Sequence, residues 1–328
     1  MNEARIAIGT SATMLGLAGY YASLDYARQR LQGRPLVSGT GASAKDPNRP
    51  QVPLIAHADV RRMLLAQKAF CEGALALQLY CARLVDEHKT GEAEAADEAR
   101  VLLELLTPIA KSYPSEWCLE ANSLAIQIHG GYGYTRDFPV EQYWRDNRLN
   151  MIHEGTHGIQ ALDLLGRKVL MEDGRALELL GTRIAVTLAR ARASDSDSDH
   201  DNESEVPSDP VGQADLAGLA ALAEILDGAW QRLVIATRMA WDEAPPEVAL
   251  ANAVPYLQAF GQVVIAWLWL DVAARSLVSD PRRVKPATEG RLAAARYFFG
   301  YELPKIDPWL AVVARQDVTC VEVPDDAF

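Results

Sequence analysis

The stretch "QIHGGYGYTRDFPVEQYWRDNRLNMIHEGT", residues 127–156, decides how this chain folds and where its chemistry sits. It begins on a helical pattern that Gly130, Gly131 and Gly133 interrupt. Each glycine would cost about 1 kcal/mol relative to alanine inside a helix, so a turn is expected here, with its backbone approaching something closely. A flavin or a phosphate fits that role, and so does a plain turn between two helices. The stretch ends in His153-Glu154-Gly155-Thr156, and with His157 it spells the H-E-x-x-H pattern of zinc metalloproteases. On a helix the two histidines would share a face and grip a metal while Glu154 activated its water. Gly155 is a poor helix former and Thr156 a natural N-cap, so the next helix is expected to start at His157, which takes the histidines off a common face. A third ligand would have to come from Glu172 or Glu178, since no histidine follows at the usual spacing. In a turn before a helix, Glu154 would instead put its carboxylate and its own N–H into one cleft. That is a general-base arrangement, with the N–H holding a carbonyl while the carboxylate removes an adjacent C–H proton. An exposed glutamate near a helix start explains the spacing equally well.

Working outward, 328 residues leave room for two cores joined by a linker. Hydrophobic residues make up 49% and charged residues 23%, with strong Ala and Leu usage and little alternating pattern, which predicts an all-α, soluble protein. A net charge of -12 argues against a surface that neutralises phosphates or anionic lipid, so nucleic acid is not an expected partner. Cys71, Cys81, Cys118 and Cys320 form no C-x-x-C pair. The first three lie on apolar helical patterns, as thiols of a reducing compartment do, and a cytoplasmic location is expected. Residues 6–24 carry no charge over the length of a membrane span, but Gly9, Thr10, Ser11, Thr13, Gly16 and Gly19 dilute their hydrophobicity and no basic cluster precedes them. A buried helix of a soluble fold is expected, with no integral membrane span.

The spacing predicts helices at about 3–31, 55–88 and 93–128, the last bent or broken near Pro108 and Pro114. Together with shorter helices after Pro139 and Thr156 they make an antiparallel bundle. Between the first two lies a long Gly- and Pro-rich loop, of a length that often covers or contacts a ligand. At "ASDSDSDHDNESEVPSDP", residues 193–210, seven acidic residues and no basic one mark a disordered linker. The expected organisation is a helical bundle over 1–192, an acidic linker over 193–211 and a second helical domain over 212–328. In that last part helices are expected at about 212–241, 248–278 and 287–301, before a looser tail. The run "VVIAWLWL", residues 263–270, is too short to span a bilayer and reads as a core helix.

At these residues the chain resembles the acyl-CoA dehydrogenases, flavin enzymes that introduce an α,β double bond into acyl-CoA thioesters. The likeness is carried by "MNEARIAIG" (1–9), "DYARQRLQGRPL" (25–36), residues 127–156 and "GIQALDLLGRKV" (158–169), in the family's order and spacing. It implies that residues 1 to about 190 form the family's C-terminal helical-bundle domain. The part after the linker is similar to the extra helical domain of a long branch that includes methylthiopropanoyl-CoA dehydrogenases. Full members begin with a helical domain and a β-domain, neither of which is legible in this sequence.

The resemblance also implies roles. Glu154 matches the base that takes the α-proton while a hydride passes to the flavin, and Glu3, close to Arg5, matches the position that a minority of members use instead. Arg30 matches an arginine that reaches FAD phosphates, usually across a subunit interface; Gln127, Gly130 and Gly131 match an FAD-contacting turn. Thr156 and Gly158 match positions beside the FAD adenosine, with glycine standing where relatives often have glutamine. Arg5, Gly155 and His153 fall on the substrate side, the last in place of an aromatic. Arg145, Asp146 and Arg148 are expected to form an ion-pair network holding the turn. FAD is the implied cofactor, an acyl-CoA the substrate and electron-transfer flavoprotein the electron acceptor. The chain would act as a homo-oligomer or with a chain supplying the missing domains. A non-catalytic helical subunit and a zinc hydrolase are the alternatives.

Overall fold

Small residues recur at every third or fourth position of the first helix, α1 (Asn2–Gln29), and Gly9, Ala12, Thr13, Gly16, Gly19 and Ser23 form a buried stripe along it. The computed structural model describes residues 2–34, 49–196, 210–278 and 286–327. A Cβ at Gly9 would lie 2.0 Å from the Ala110 carbonyl oxygen, and one at Gly16 2.7 Å from Cys118 Cβ. The stripe therefore lets α1 approach α3 (Ala93–His129) more closely than any larger residue permits. The helix α2 (Ala58–Thr90) packs against both.

The expected break in α3 does not occur: the helix runs unbroken for 37 residues with Pro108 and Pro114 inside it. Pro114 removes the N–H that would bond the Ala110 carbonyl four residues back. The side-chain amide of Gln78, on α2, donates to that oxygen instead, at 2.8 Å. A neighbouring helix has replaced the missing donor, so the helix continues.

The short α4 (Val140–Asn147) lies against α1 and α3. After it come α5 (His157–Gly166), α6 (Arg175–Ser196), α7 (Pro210–Ala240), α8 (Pro246–Ala249), α9 (Ala253–Val278), α10 (Pro286–Tyr297), α11 (Ile306–Ala314) and α12 (Thr319–Glu322). Among the described residues there is no strand, and the fold is all-α. Of these helices α9 is long and apolar enough to cross a membrane, yet all of residues 263–270 are buried inside the protein. A helix apolar all round needs cover on every side. It obtains that cover from α2, α3, α5 and α6 as well as from α7, α10 and α11. The Trp269 indole N–H donates to the Ala69 carbonyl at 3.0 Å and that of Trp267 to the Thr187 hydroxyl at 2.9 Å.

The two helical units consequently do not keep the separate cores expected of them: one continuous cluster of buried side chains runs from α2 and α3 through α9 to α11. The tail is also more ordered than its prolines suggest, because Ile306, Leu310 and Val313 seat α11 on α7 and α9. Of the expected linker, 193–196 belong to α6 and 210–211 to α7; residues 197–209 lie outside the described residues. So do 35–48 of the expected long loop, whose described ends meet in a single bridge between Leu31 and Pro53.

Candidate functional site

The chain enters the turn before α5 on two buried asparagines. The Asn147 amide donates to the Ala12 carbonyl at 3.2 Å and to Asn122 Oδ1 at 2.7 Å, while Asn122 donates to the Leu15 carbonyl at 2.9 Å. Asn150 donates to Asn147 Oδ1 at 3.0 Å. This buried amide network fixes the segment on α1 and α3. The ion-pair network expected of Arg145, Asp146 and Arg148 does not form among the described residues. All three point to solvent, and Arg145 faces Glu141 at 3.7 Å.

Beyond Met151 the backbone turns left-handed, with φ of 55° at Glu154 and 94° at Gly155. Such a conformation persists only where its surroundings impose it. Lys111 Nζ donates to the Gly155 carbonyl at 2.7 Å and to the Met151 carbonyl at 3.1 Å, and Gln160 Nε2 donates to the Glu154 carbonyl at 3.0 Å. The Glu154 N–H makes no hydrogen bond to another described residue. Burial and the nearby Arg5 pull Lys111 down to about 8, with Glu154 acting in the opposite direction. Arg5 itself is held by Asp163 at 2.7 Å, and beside it Glu104 takes Lys168 and, at 2.6 Å, Asn2.

The helix α5 begins at His157, with Thr156 at its N-cap but without a side-chain cap bond. His153 lies in the turn and His157 on the helix, so the two do not share a face and the zinc geometry is lost. Among the described residues no group of three His, Cys, Asp or Glu could hold a metal ion. Glu154, His153 and Thr156 are exposed, so the described residues do not enclose the cleft expected around the base. The surrounding surface is apolar instead, with Leu149, Ile152 and Ile159 each more than half exposed. Glu3 pairs with Lys89 at 2.7 Å. Two residues from Arg5, it lies about 200° around the helix, turned away from Glu154.

A second group of residues gathers at the far end of the bundle. Arg30 lies 5.8 Å from the centre of the Tyr132 ring and makes no ion pair with a described residue. Beside it Gln127 is exposed, and Gly130, with φ of 62°, and Gly131 would meet nothing within 4 Å if given a Cβ. Tyr26 stacks on His129 at 4.3 Å beneath them. A guanidinium and a glycine backbone that no described residue pairs or covers suit a phosphate. Along α1, Arg5 and Arg30 are separated by about 37 Å at 1.5 Å per residue. Within one chain the structure thus brings Arg5, His153, Glu154, Gly155, Thr156 and Gly158 to one end and Arg30, Gln127, Gly130 and Gly131 to the other. A cavity of about 580 Å³ between α6 and α7, lined by Leu177, Trp230 and Trp241, contains none of them.

Sequence reasoning missed Lys111, Gln160, Asn147 and Asn150. The available signal was a polar residue on an otherwise apolar helical face, as in "LTPIAKSYP". His157, the second histidine of the motif, has no hydrogen-bond partner at either ring nitrogen among the described residues, and Glu116 Oε2 stands 4.0 Å away. Burial first, then Lys111 and Arg148, pulls its pKa from 6.5 to about 4. The unfolded chain therefore binds a proton that the folded protein refuses, and stability is lost as pH falls from about 6.5 to about 4. His157→Leu is expected to flatten that acid limb and leave stability near neutrality unchanged or higher. Urea midpoints of both proteins at about pH 4.5 and pH 7.5 check this.

Known proteins place these features in context. Residues 39–170 match the family described as "Acyl-CoA dehydrogenase, C-terminal domain", and residues 184–324 match "Acetyl-CoA dehydrogenase C-terminal like". The chain is 35% identical, over 267 residues, to the 3-methylmercaptopropionyl-CoA dehydrogenase of Ruegeria pomeroyi, a match covering 81% of this chain and 41% of that enzyme. It is similar in fold to Caenorhabditis elegans ACDH-11 in complex with C11-CoA, with a TM-score of 0.72 and 20% identity over 98% of this chain and 47% of that one. A Bacillus anthracis acyl-CoA dehydrogenase complexed with FAD gives a TM-score of 0.68 and 17% identity over 99% and 50%. The chain spans about half the length of the curated relatives it matches.

Proposed function

The chain belongs to the acyl-CoA dehydrogenase family, and from that premise we propose that it forms the helical part of an FAD-dependent enzyme that desaturates an acyl-CoA thioester between its α and β carbons. The observation that carries this reading is the left-handed turn at Glu154, whose carboxylate is exposed among apolar side chains and whose N–H is bonded to no described residue. The thioester carbonyl accepts a hydrogen bond from the Glu154 N–H, and the carboxylate takes the α-proton. FAD, when bound, supplies the acceptor for the β-hydride. Arg30, Gln127, Gly130 and Gly131 would hold its phosphates, and Thr156 and Gly158 would lie beside it at the Glu154 end. Electron-transfer flavoprotein is the electron acceptor within this proposal. Three buried, unbridged thiols, Cys71, Cys81 and Cys118, support a reducing compartment, and a cytoplasmic location is part of this proposal.

The length of α1 supports a shared site. Since about 37 Å of helix separates Arg30 from the Glu154 end, a flavin beside one chain's Glu154 takes its phosphate contacts from a second copy. In the flavin-loaded protein, Arg30→Glu is expected to weaken FAD binding by roughly 10- to 100-fold. Mixed with Glu154→Gln chains, it should regain acyl-CoA-dependent flavin bleaching, because each mixed pair keeps one intact Arg30–Glu154 combination. No recovery on mixing overturns the shared site. An assembly that takes up no FAD would return the chain to the reading of a non-catalytic helical subunit.

A further inference from the structure

One lysine carries a charge into the middle of α3 without a carboxylate bonded to it, the nearby Glu154 acting on it only through space. Lys111 is fully buried, and it makes no ion pair with an Asp or Glu among the described residues. The neighbouring cations differ, since the partly buried Arg5 has Asp163 and the buried Lys168 has Glu104. Removing an ammonium from water without a bonded counter-charge is unfavourable, and an apolar side chain of similar length would serve the core of α3 better. What the lysine does have is the Met151 and Gly155 carbonyls, which bracket Glu154.

We propose that Lys111 is a positioning residue, one that holds the Glu154 turn in its left-handed form through the Met151 and Gly155 carbonyls. This rests on Glu154 being the base. A non-glycine residue at positive φ is unfavourable by itself, so the turn needs external bonds to keep it. Three carbonyls, those of Met151, Glu154 and Gly155, each accept from a side chain donated by a rigid helix. Lys111 satisfies two of them from one atom, which its three N–H donors allow. Gln160 holds the third and fits so tightly that a Cβ at Gly155 would lie 2.9 Å from its Nε2. With the turn fixed, the Glu154 N–H and the direction in which its side chain leaves the backbone are set before the substrate arrives, which leaves less ordering for the reaction step.

Amide hydrogen exchange of the Lys111→Met and Lys111→Gln proteins tests this. Exchange of the hydrogen-bonded turn amides of Ile152 and His153 is expected to accelerate roughly 10- to 100-fold in the Met variant and less in the Gln variant, which keeps N–H donors, with α1 and α3 unchanged. In the flavin-loaded enzyme kcat should fall while KM stays within about twofold. Unchanged exchange in the turn overturns the proposal. So does acceleration spread over the whole protein, which is what a purely structural lysine gives, and so does a loosened turn with undiminished kcat. If Glu154→Gln leaves flavin reduction intact, the base assignment fails separately, and the exchange data still decide whether Lys111 holds the turn.

Discussion

Replacing Glu154 with glutamine in the flavin-loaded protein is expected to lower acyl-CoA-dependent flavin reduction by about 10⁴-fold or more while FAD stays bound. The amide has nearly the shape of the carboxylate but cannot accept the α-proton. The turn itself should survive, because Lys111 and Gln160 hold its carbonyls rather than the Glu154 side chain. FAD retention is expected because Arg30, Gln127, Gly130 and Gly131 sit at the other end of the bundle. Anaerobic addition of acyl-CoA, followed by flavin absorbance, measures the step. Normal bleaching would sink the assignment of Glu154. Glu3 offers no ready substitute, since Lys89 holds it on another side of α1. Glu154 is exposed in this chain, so the apolar rim of Leu149, Ile152 and Ile159 has to be covered in the working enzyme for water to be excluded.

The largest stability effect is expected from a single methyl group. Gly9→Ala should destabilise the protein by about 3–5 kcal/mol, although alanine is the better helix former by up to about 1 kcal/mol. The new Cβ would stand 2.0 Å from the Ala110 carbonyl oxygen and 2.6 Å from Gln78 Nε2. Neither atom can retreat cheaply, since they are bonded to each other and that bond carries α3 past Pro114. Gly218→Ala, in α7 with nothing within 4 Å, is the control and should stabilise by about 0.5–1 kcal/mol. Urea midpoints compare the two. Equal shifts would show that close approach at Gly9 is not what sets the α1–α3 contact.

What the sequence revealed and what it hid divide along a physical line. Helix type was legible because apolar spacing in α2 and α3 and the length of the α9 pattern are local properties. The turn at Glu154 was legible for the same reason, as Gly155 and Thr156 disfavour a helix on their own account. The continuity of α3 was not, because the donor that compensates for Pro114 comes from Gln78 on another helix. Nor was the single core, since an all-apolar α9 announces burial without naming the helices that bury it. The candidate base was found from its motif, whereas Lys111 and Gln160, which hold it, act through carbonyls and leave no mark in the motif. The division of the site between two ends of α1 follows from helix length, which a list of matching residues does not express.

The contact between Trp269 and Ala69 joins residues 200 positions apart, and this sets an order of events during synthesis. The helices α1, α2 and α3 are made long before α9, which completes their core, so their inner faces wait without cover while the rest of the chain is produced. Folding of this kind depends on contacts distant in sequence and is expected to be slow, with apolar surface open to aggregation until the end. Interrupting synthesis before α9 would therefore release not a finished bundle but a sticky intermediate, a natural client for chaperones.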